Sequence, residues 1–233
     1  MDKKVWYVTG ASKGLGLSLI NHLLAAGHRV AAASKYLPAL VGSVSKTPDA
    51  GFLPLEFDAA DEAALARSIR TTWETFGHID TVVLNAGYGA ADPLETTAVI
   101  RNVLPWFRIQ GSGHIINIGL SRLPVQYTRY ENIHITTVST GAFQPLAGQD
   151  AADTMTIPID GKQIGDPQKA AAAILRIAAL SKPPTRLFLT SNAGNLATEK
   201  MAGLNETIKQ CEARLNRQAL NCRIRPAQLS PLH

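Results

Sequence analysis

Cysteine is scarce in this chain. Cys211 and Cys222 are the only two in 233 residues. Neither belongs to a Cys-x-x-Cys pair and the histidines show no paired spacing, so neither a disulfide framework nor a metal site is indicated. Long apolar runs are also missing: none approaches the ~18 residues of a membrane span. The N-terminus opens on a strand pattern and lacks the apolar core of a signal peptide. A cytoplasmic protein with no membrane partner is therefore expected. Basic residues outnumber acidic ones, 23 to 18, with a sequence pI near 9.3, yet they form no run. That scatter argues against nucleic acid and leaves small anions as the suitable ligands. Repeats and low-complexity tracts are absent as well.

What is present is an ordinary apolar share, 45%, on a length that supports one good-sized core. Apolar strand patterns alternate with helical ones. Strands are expected at Val5–Val8, His28–Ala33, Gly51–Phe57, Thr81–Leu84, His114–Ile118, Ile133–Val138 and Arg186–Thr190. Helices are expected at Leu15–Leu24, from an N-cap Asp61 to Phe76 with Gly77 closing, at Val99–Arg108, and at 168–180 behind Asp166-Pro167. A mostly polar helix is expected at 196–217. This alternation predicts an α/β fold: a doubly wound parallel sheet of about seven strands with helices on both faces. One domain is expected over 1–222, with a loose tail at 223–233.

The most informative stretch is Val5 to Gly16. A buried strand stops at Thr9-Gly10, and Gly10, Gly14 and Gly16 bridge it to a helix. Glycine lets the backbone turn sharply and come close to a ligand. The helix start behind it presents unpaired N–H groups and a positive dipole end, which suit phosphate. The loop thus points to a nucleotide diphosphate.

Further motifs follow in order, Asp58-Ala59-Ala60-Asp61, Asn85-Ala86-Gly87, Gly113–Ile118 and Thr136–Phe143, and with the loop they resemble the short-chain dehydrogenase/reductase family. Thr9-Gly10-x-x-x-Gly14-x-Gly16 looks like its cofactor loop, whose spacing differs from the G-x-G-x-x-G of other dinucleotide folds. Asp58-Ala59-Ala60-Asp61 resembles the family's Asp-x-x-Asp segment, and Asn85-Ala86-Gly87 matches its Asn-Ala-Gly. The strand Gly113–Ile118 and the stretch Thr136–Phe143 resemble the family's fifth and sixth strands. The resemblance implies a Rossmann-type domain and an NAD(P)-dependent oxidoreductase acting on a small carbonyl or alcohol, often as a homo-oligomer. It assigns cofactor contacts to Gly10, Ser12, Lys13, Gly14, Leu15 and Gly16, adenine to Asp58 with Ala59, and the border of the ribose to Asn85, Ala86 and Gly87. The end of the second strand, where an NAD site has a carboxylate, reads Ala33-Ser34-Lys35. Ser34, Lys35 and Lys13 therefore indicate NADP(H), the two lysines flanking a 2′-phosphate.

The resemblance fails over the catalytic half. Hydride transfer leaves an alkoxide that must be protonated in place, and the family does this with Tyr-x-x-x-Lys and a serine. Here Tyr7, Tyr36, Tyr88, Tyr127 and Tyr130 are followed four residues on by Ala11, Leu40, Asp92, Glu131 and His134. The family serine position holds Leu120, with Ser121 one place late. Ser121 and Tyr130 are the remaining catalytic candidates, although Tyr127 and Tyr130 also read as the tail of a helix-to-strand connection. Only fourteen residues separate Ile118 from Ile133, where the family has a loop and a long helix. A second shortage falls between Thr97 and Ala98, and 144–165 is also shorter than the usual substrate lid. The leading expectation is an NADP(H)-dependent oxidoreductase. The alternative is a catalytically silent NADP-binding regulatory or scaffold protein.

Overall fold

A computed structural model describes residues 3–44, 51–56, 61–85, 93–119, 132–139, 166–190, 194–195, 198–199 and 201–209. Its elements are β1 (Val5–Thr9), α1 (Gly14–Ala25), β2 (Arg29–Ser34), α2 (Leu37–Ser43), β3 (Phe52–Glu56), α3 (Glu62–Phe76), β4 (Thr81–Leu84), α4 (Pro93–Gln110), β5 (Gly113–Ile118), β6 (Ile133–Ser139), α5 (Pro167–Ala178) and β7 (Arg186–Phe188). The strands form one seven-stranded sheet in the order β3-β2-β1-β4-β5-β6-β7. Every neighbouring pair is parallel. This is the doubly wound architecture expected from the alternating pattern.

The sheet is covered on both faces, which is why its central strands are apolar throughout rather than alternating. Val5 and Tyr7 of β1 pack with Leu65 and Ile69 of α3 and Val103 and Phe107 of α4. Trp6 and Val8, pointing the other way, pack with Leu19 and Leu23 of α1 and Ile174 of α5. The expected helix boundaries at Asp61 and Asp166 have clear causes. Each aspartate accepts a backbone N–H of its helix, from Ala64 and from Gln168. Gly77 closes α3 with φ near +80°, a conformation that favours glycine.

Some expectations need correction. Helix α4 begins at Pro93, six residues before Val99, and runs without interruption through Thr97 and Ala98. Proline suits a first helical turn because its missing N–H would have no intrahelical partner there. Helix α2 was not anticipated: it is seven residues long and buries Leu40 alone, so it leaves no apolar period in the sequence. β7 ends at Phe188, two residues before Thr190. Contacts divide the chain into two units, Met1–Ala193 and Gly194–His233. The sheet belongs to the first. In the second, residues 201–209 are helical, and the tail at 223–233 lies outside the described residues.

A buried polar chain ties β5 to β6. Thr136 donates its hydroxyl to the Pro184 carbonyl at 2.6 Å, so His114 Nε2, 2.9 Å away, must donate to the Thr136 oxygen. Burial, then the charges of His134 and Lys4, pushes the His114 pKa down to about 3. His28 is lowered in the same direction, by burial and by Lys4. An unfolded histidine takes its proton near pH 6.5 while the folded one refuses it, so stability must fall as pH drops from 6.5 toward 3. Urea unfolding at pH 7 and pH 5 is expected to show a loss of about 2 kcal/mol from His114, which H114Q should largely remove. Equal acid sensitivity in H114Q would refute that assignment.

Candidate functional site

β1 lies between β2 and β4, and the chain builds outward from it in both directions. This reversal opens a crevice at the C-terminal ends of the strands, where doubly wound folds bind ligands. The loop Gly10–Lys13 occupies the rim of that crevice, Ser34-Lys35 ends β2 beside it, and Asn85 follows β4.

Asn85 fastens the loop. Its backbone N–H donates to Thr9 Oγ1 at 3.1 Å, and its side-chain amide donates to the Gly10 carbonyl at 3.0 Å. Thr9 is buried, and its role as the acceptor that joins β1 to the end of β4 was missed in the sequence. The available signal was a hydroxyl at the last position of a buried strand. The glycines divide into two kinds. A Cβ on Gly10 would collide with the Asn85 carbonyl, and one on Gly16 with the Gly10 carbonyl, so both permit close packing within the protein. A Cβ on Gly14 would meet no atom of the other described residues within 4 Å, although its φ of +59° also favours glycine. Among the described residues, Gly14 thus leaves open space at the helix start.

The start of α1 is electrostatically prepared as well. Its N-cap, Lys13, is extended, supplies no side-chain cap, and is followed by no acid in the first turn. Helices α3 and α5 both carry capping aspartates. The Lys13 side chain therefore does not cap the first N–H groups of α1, and no acid offsets the positive end of the helix there. Leu15 places its side chain in the core, which leaves its backbone as the part available to a ligand. Ser12 is half-buried in the loop, while Lys13 and Lys35 are exposed at the rim. Ser34 is buried and its hydroxyl accepts the Tyr36 N–H at 3.3 Å, which shapes the turn that presents Lys35. Tyr7 is fully buried with its hydroxyl 2.7 Å from Ser68 Oγ, away from the crevice. Asp58, Ala59, Ala86, Gly87, Ser121 and Tyr130 lie outside the described residues.

A family model described as short chain dehydrogenase matches residues 4–99, a range that holds the whole glycine loop and Asn85. Levodione reductase of Leifsonia aquatica is 30% identical over 185 residues, covering 60% of this chain and 69% of its own. The chain belongs to the short-chain dehydrogenase/reductase family. Oxidoreductase BOA17 of Botryotinia fuckeliana is 24% identical over 249 positions, covering 82% of this chain and 90% of its own. That alignment is longer than the whole chain here, so the relative carries segments with no counterpart in it. Among solved structures, a short-chain dehydrogenase from Streptomyces avermitilis superposes with a TM-score of 0.76 at 24% identity. It covers 94% of this chain and 99% of its own, and it shares the fold. The family match stops at Val99, close to where the sequence shortages begin. Short-chain dehydrogenase/reductases are oxidoreductases that use NAD or NADP. Among the described residues, no helix is long and apolar enough to cross a membrane.

Proposed function

We propose that this short-chain dehydrogenase/reductase binds NADP(H) at the β1–α1 loop and interconverts a small carbonyl compound and its alcohol. The observation that carries the reading is the pairing of an uncapped α1 start with Lys13 and Lys35 at a rim that holds no carboxylate at the end of β2. Backbone N–H groups of residues 14–16 would receive the pyrophosphate, and Lys13 and Lys35 the 2′-phosphate, with Ser34 setting the turn. Asp58 and Ala59 would hold adenine, and Asn85, Ala86 and Gly87 would border the ribose. When bound, the nicotinamide supplies or accepts the hydride. The chain must then place a proton on the carbonyl oxygen, or remove one from the alcohol, and Ser121 and Tyr130 are the groups assigned to that task.

A second reading, a silent NADP-binding protein, is favoured by one specific observation: no tyrosine has a lysine four residues later. NADPH is expected to bind, raising the melting temperature and quenching the fluorescence of buried Trp6. Turnover with a panel of ketones and aldehydes supports the enzyme, and Y130F should then lower kcat more than KM. Tight binding without turnover leaves the silent reading. Absence of NADPH binding overturns both.

A further inference from the structure

The opposite end of the sheet holds a cavity of about 390 Å³, bordered by Lys4, Trp6, His22, His28, Leu175 and Arg176 among others. It lies where β1 and β2 begin and where α1 and α5 end. The five residues of β1 place it roughly 16 Å from the glycine loop. Its volume is at the lower end of the range for small-molecule sites.

The chemistry of its wall is one-sided. Trp6 is 1% exposed, and its Nε1–H is a buried polar group with no partner among the described residues. An indole N–H can only donate, and leaving such a donor unpaired is costly. His28 Nδ1 accepts the Lys4 backbone N–H at 3.1 Å, so the neutral ring carries its proton on Nε2. The Lys4 ammonium donates one N–H to the Ala178 carbonyl at 2.7 Å, and Arg176 contributes only donors. His22 is the exception: its Nδ1 meets the Ser18 carbonyl at 2.9 Å, which leaves Nε2 as an acceptor. Among the described residues, none of the bordering side chains is a carboxylate. Asp80, the nearby acid, bonds the Val5 N–H and His78.

Complementing the carbonyl ends of α1 and α5 explains why cations gather here, since each helix end carries about half a negative charge. It does not explain the cavity. Lys4 and Arg176 supply two positive charges, set against roughly one negative charge from the two helix ends and that of Asp80, which already bonds Val5 and His78. The apolar part of the wall, Trp6, Leu175 and the alanines of α5, suits a flat hydrocarbon body.

We infer that this cavity is a second ligand site, separate from the cofactor loop, for a small carboxylate with a flat apolar body. The carboxylate accepts from Arg176 and from the donors around Trp6, and the body lies on the α5 wall. The test uses the full chain, ¹⁵N-labelled and saturated with NADPH, titrated with 2-naphthoate and, separately, with neutral 2-naphthol. The Trp6 indole resonance, identified with W6F, should shift saturably while those of Trp73 and Trp106 stay in place. R176A, at an exposed helix end, should weaken 2-naphthoate by about tenfold with the spectrum otherwise intact, and 2-naphthol should bind at least about tenfold more weakly. An unmoved Trp6 resonance at about 10 mM 2-naphthoate overturns the site. So do equal affinities for R176A and wild type, or for acid and alcohol. A Trp6 shift seen only without NADPH also overturns it, by placing the ligand at the cofactor loop.

Discussion

Alanine at Gly10 is expected to destabilise the protein by about 3 kcal/mol, whereas alanine at Gly14 should cost about 1 kcal/mol. The two glycines share nearly the same backbone angle, φ of +61° and +59°. An L-residue at either position meets the same local penalty, roughly 1–2 kcal/mol. What separates them is the space beyond. At Gly10 the new methyl group meets the Asn85 carbonyl, and that is backbone at the end of a buried strand, unable to turn aside as a side chain could. Relief would require β1 and β4 to part, which strains the Asn85 bonds to Thr9 and Gly10. At Gly14 nothing among the described residues is displaced. The cofactor readout should run differently. G14A is expected to fold and yet bind NADPH more weakly, because its methyl group occupies the open space at the helix start. Urea midpoints and NADPH titrations on both variants measure the two effects. If G14A binds NADPH like the wild type, the cradle is elsewhere; if G10A and G14A cost the same, the packing argument fails.

The sheet was legible because its cause is local and repeated. Runs such as Val5–Val8 and Thr81–Leu84, bounded by glycine and aspartate, announce buried parallel strands, and Asp61, Gly77 and Asp166 mark helix ends through bonds they make to their own backbone. The loop between β1 and α1 was legible for a related reason: Gly10, Gly14, Gly16 and Lys13 fall within seven residues of one another. Helix α2 was not, since a single buried residue carries no period. The extent of α4 was obscured because the apparent shortage between Thr97 and Ala98 falls inside it. The cavity at the far end of the sheet had no signature at all. Lys4 and Arg176 are 172 positions apart, and only the docking of α5 beside α1 brings their surroundings together. The proton donor was legible only as the candidates Ser121 and Tyr130, because the family pattern, tyrosine with lysine one helical turn on, does not occur.

Lys35→Asp is expected to weaken NADPH by about 100-fold while changing NADH by less than about threefold, or improving it. The substitution removes a positive charge and installs a negative one at the position where NAD-specific relatives of the fold hold their ribose acid. A 2′-phosphate is close to a dianion, so both halves of the change act against it. Each unit-charge pair at about 4 Å is worth roughly 1 kcal/mol even in a bulk-water dielectric, and salt reduces that further at this exposed rim. A net loss near 2.7 kcal/mol, about 100-fold, is the size expected after screening. NADH has no 2′-phosphate to repel, and an aspartate there accepts hydrogen bonds from its two ribose hydroxyls. The ionic-strength dependence adds a second check: NADPH affinity of the wild type should fall with salt more steeply than NADH affinity, and K35D should flatten the difference. The comparison needs binding alone, so it holds whether or not the chain turns over a substrate. Equal losses for the two nucleotides would remove NADP as the preferred cofactor. They would leave the glycine loop, through Gly14 and the open start of α1, as a site for the pyrophosphate that both share.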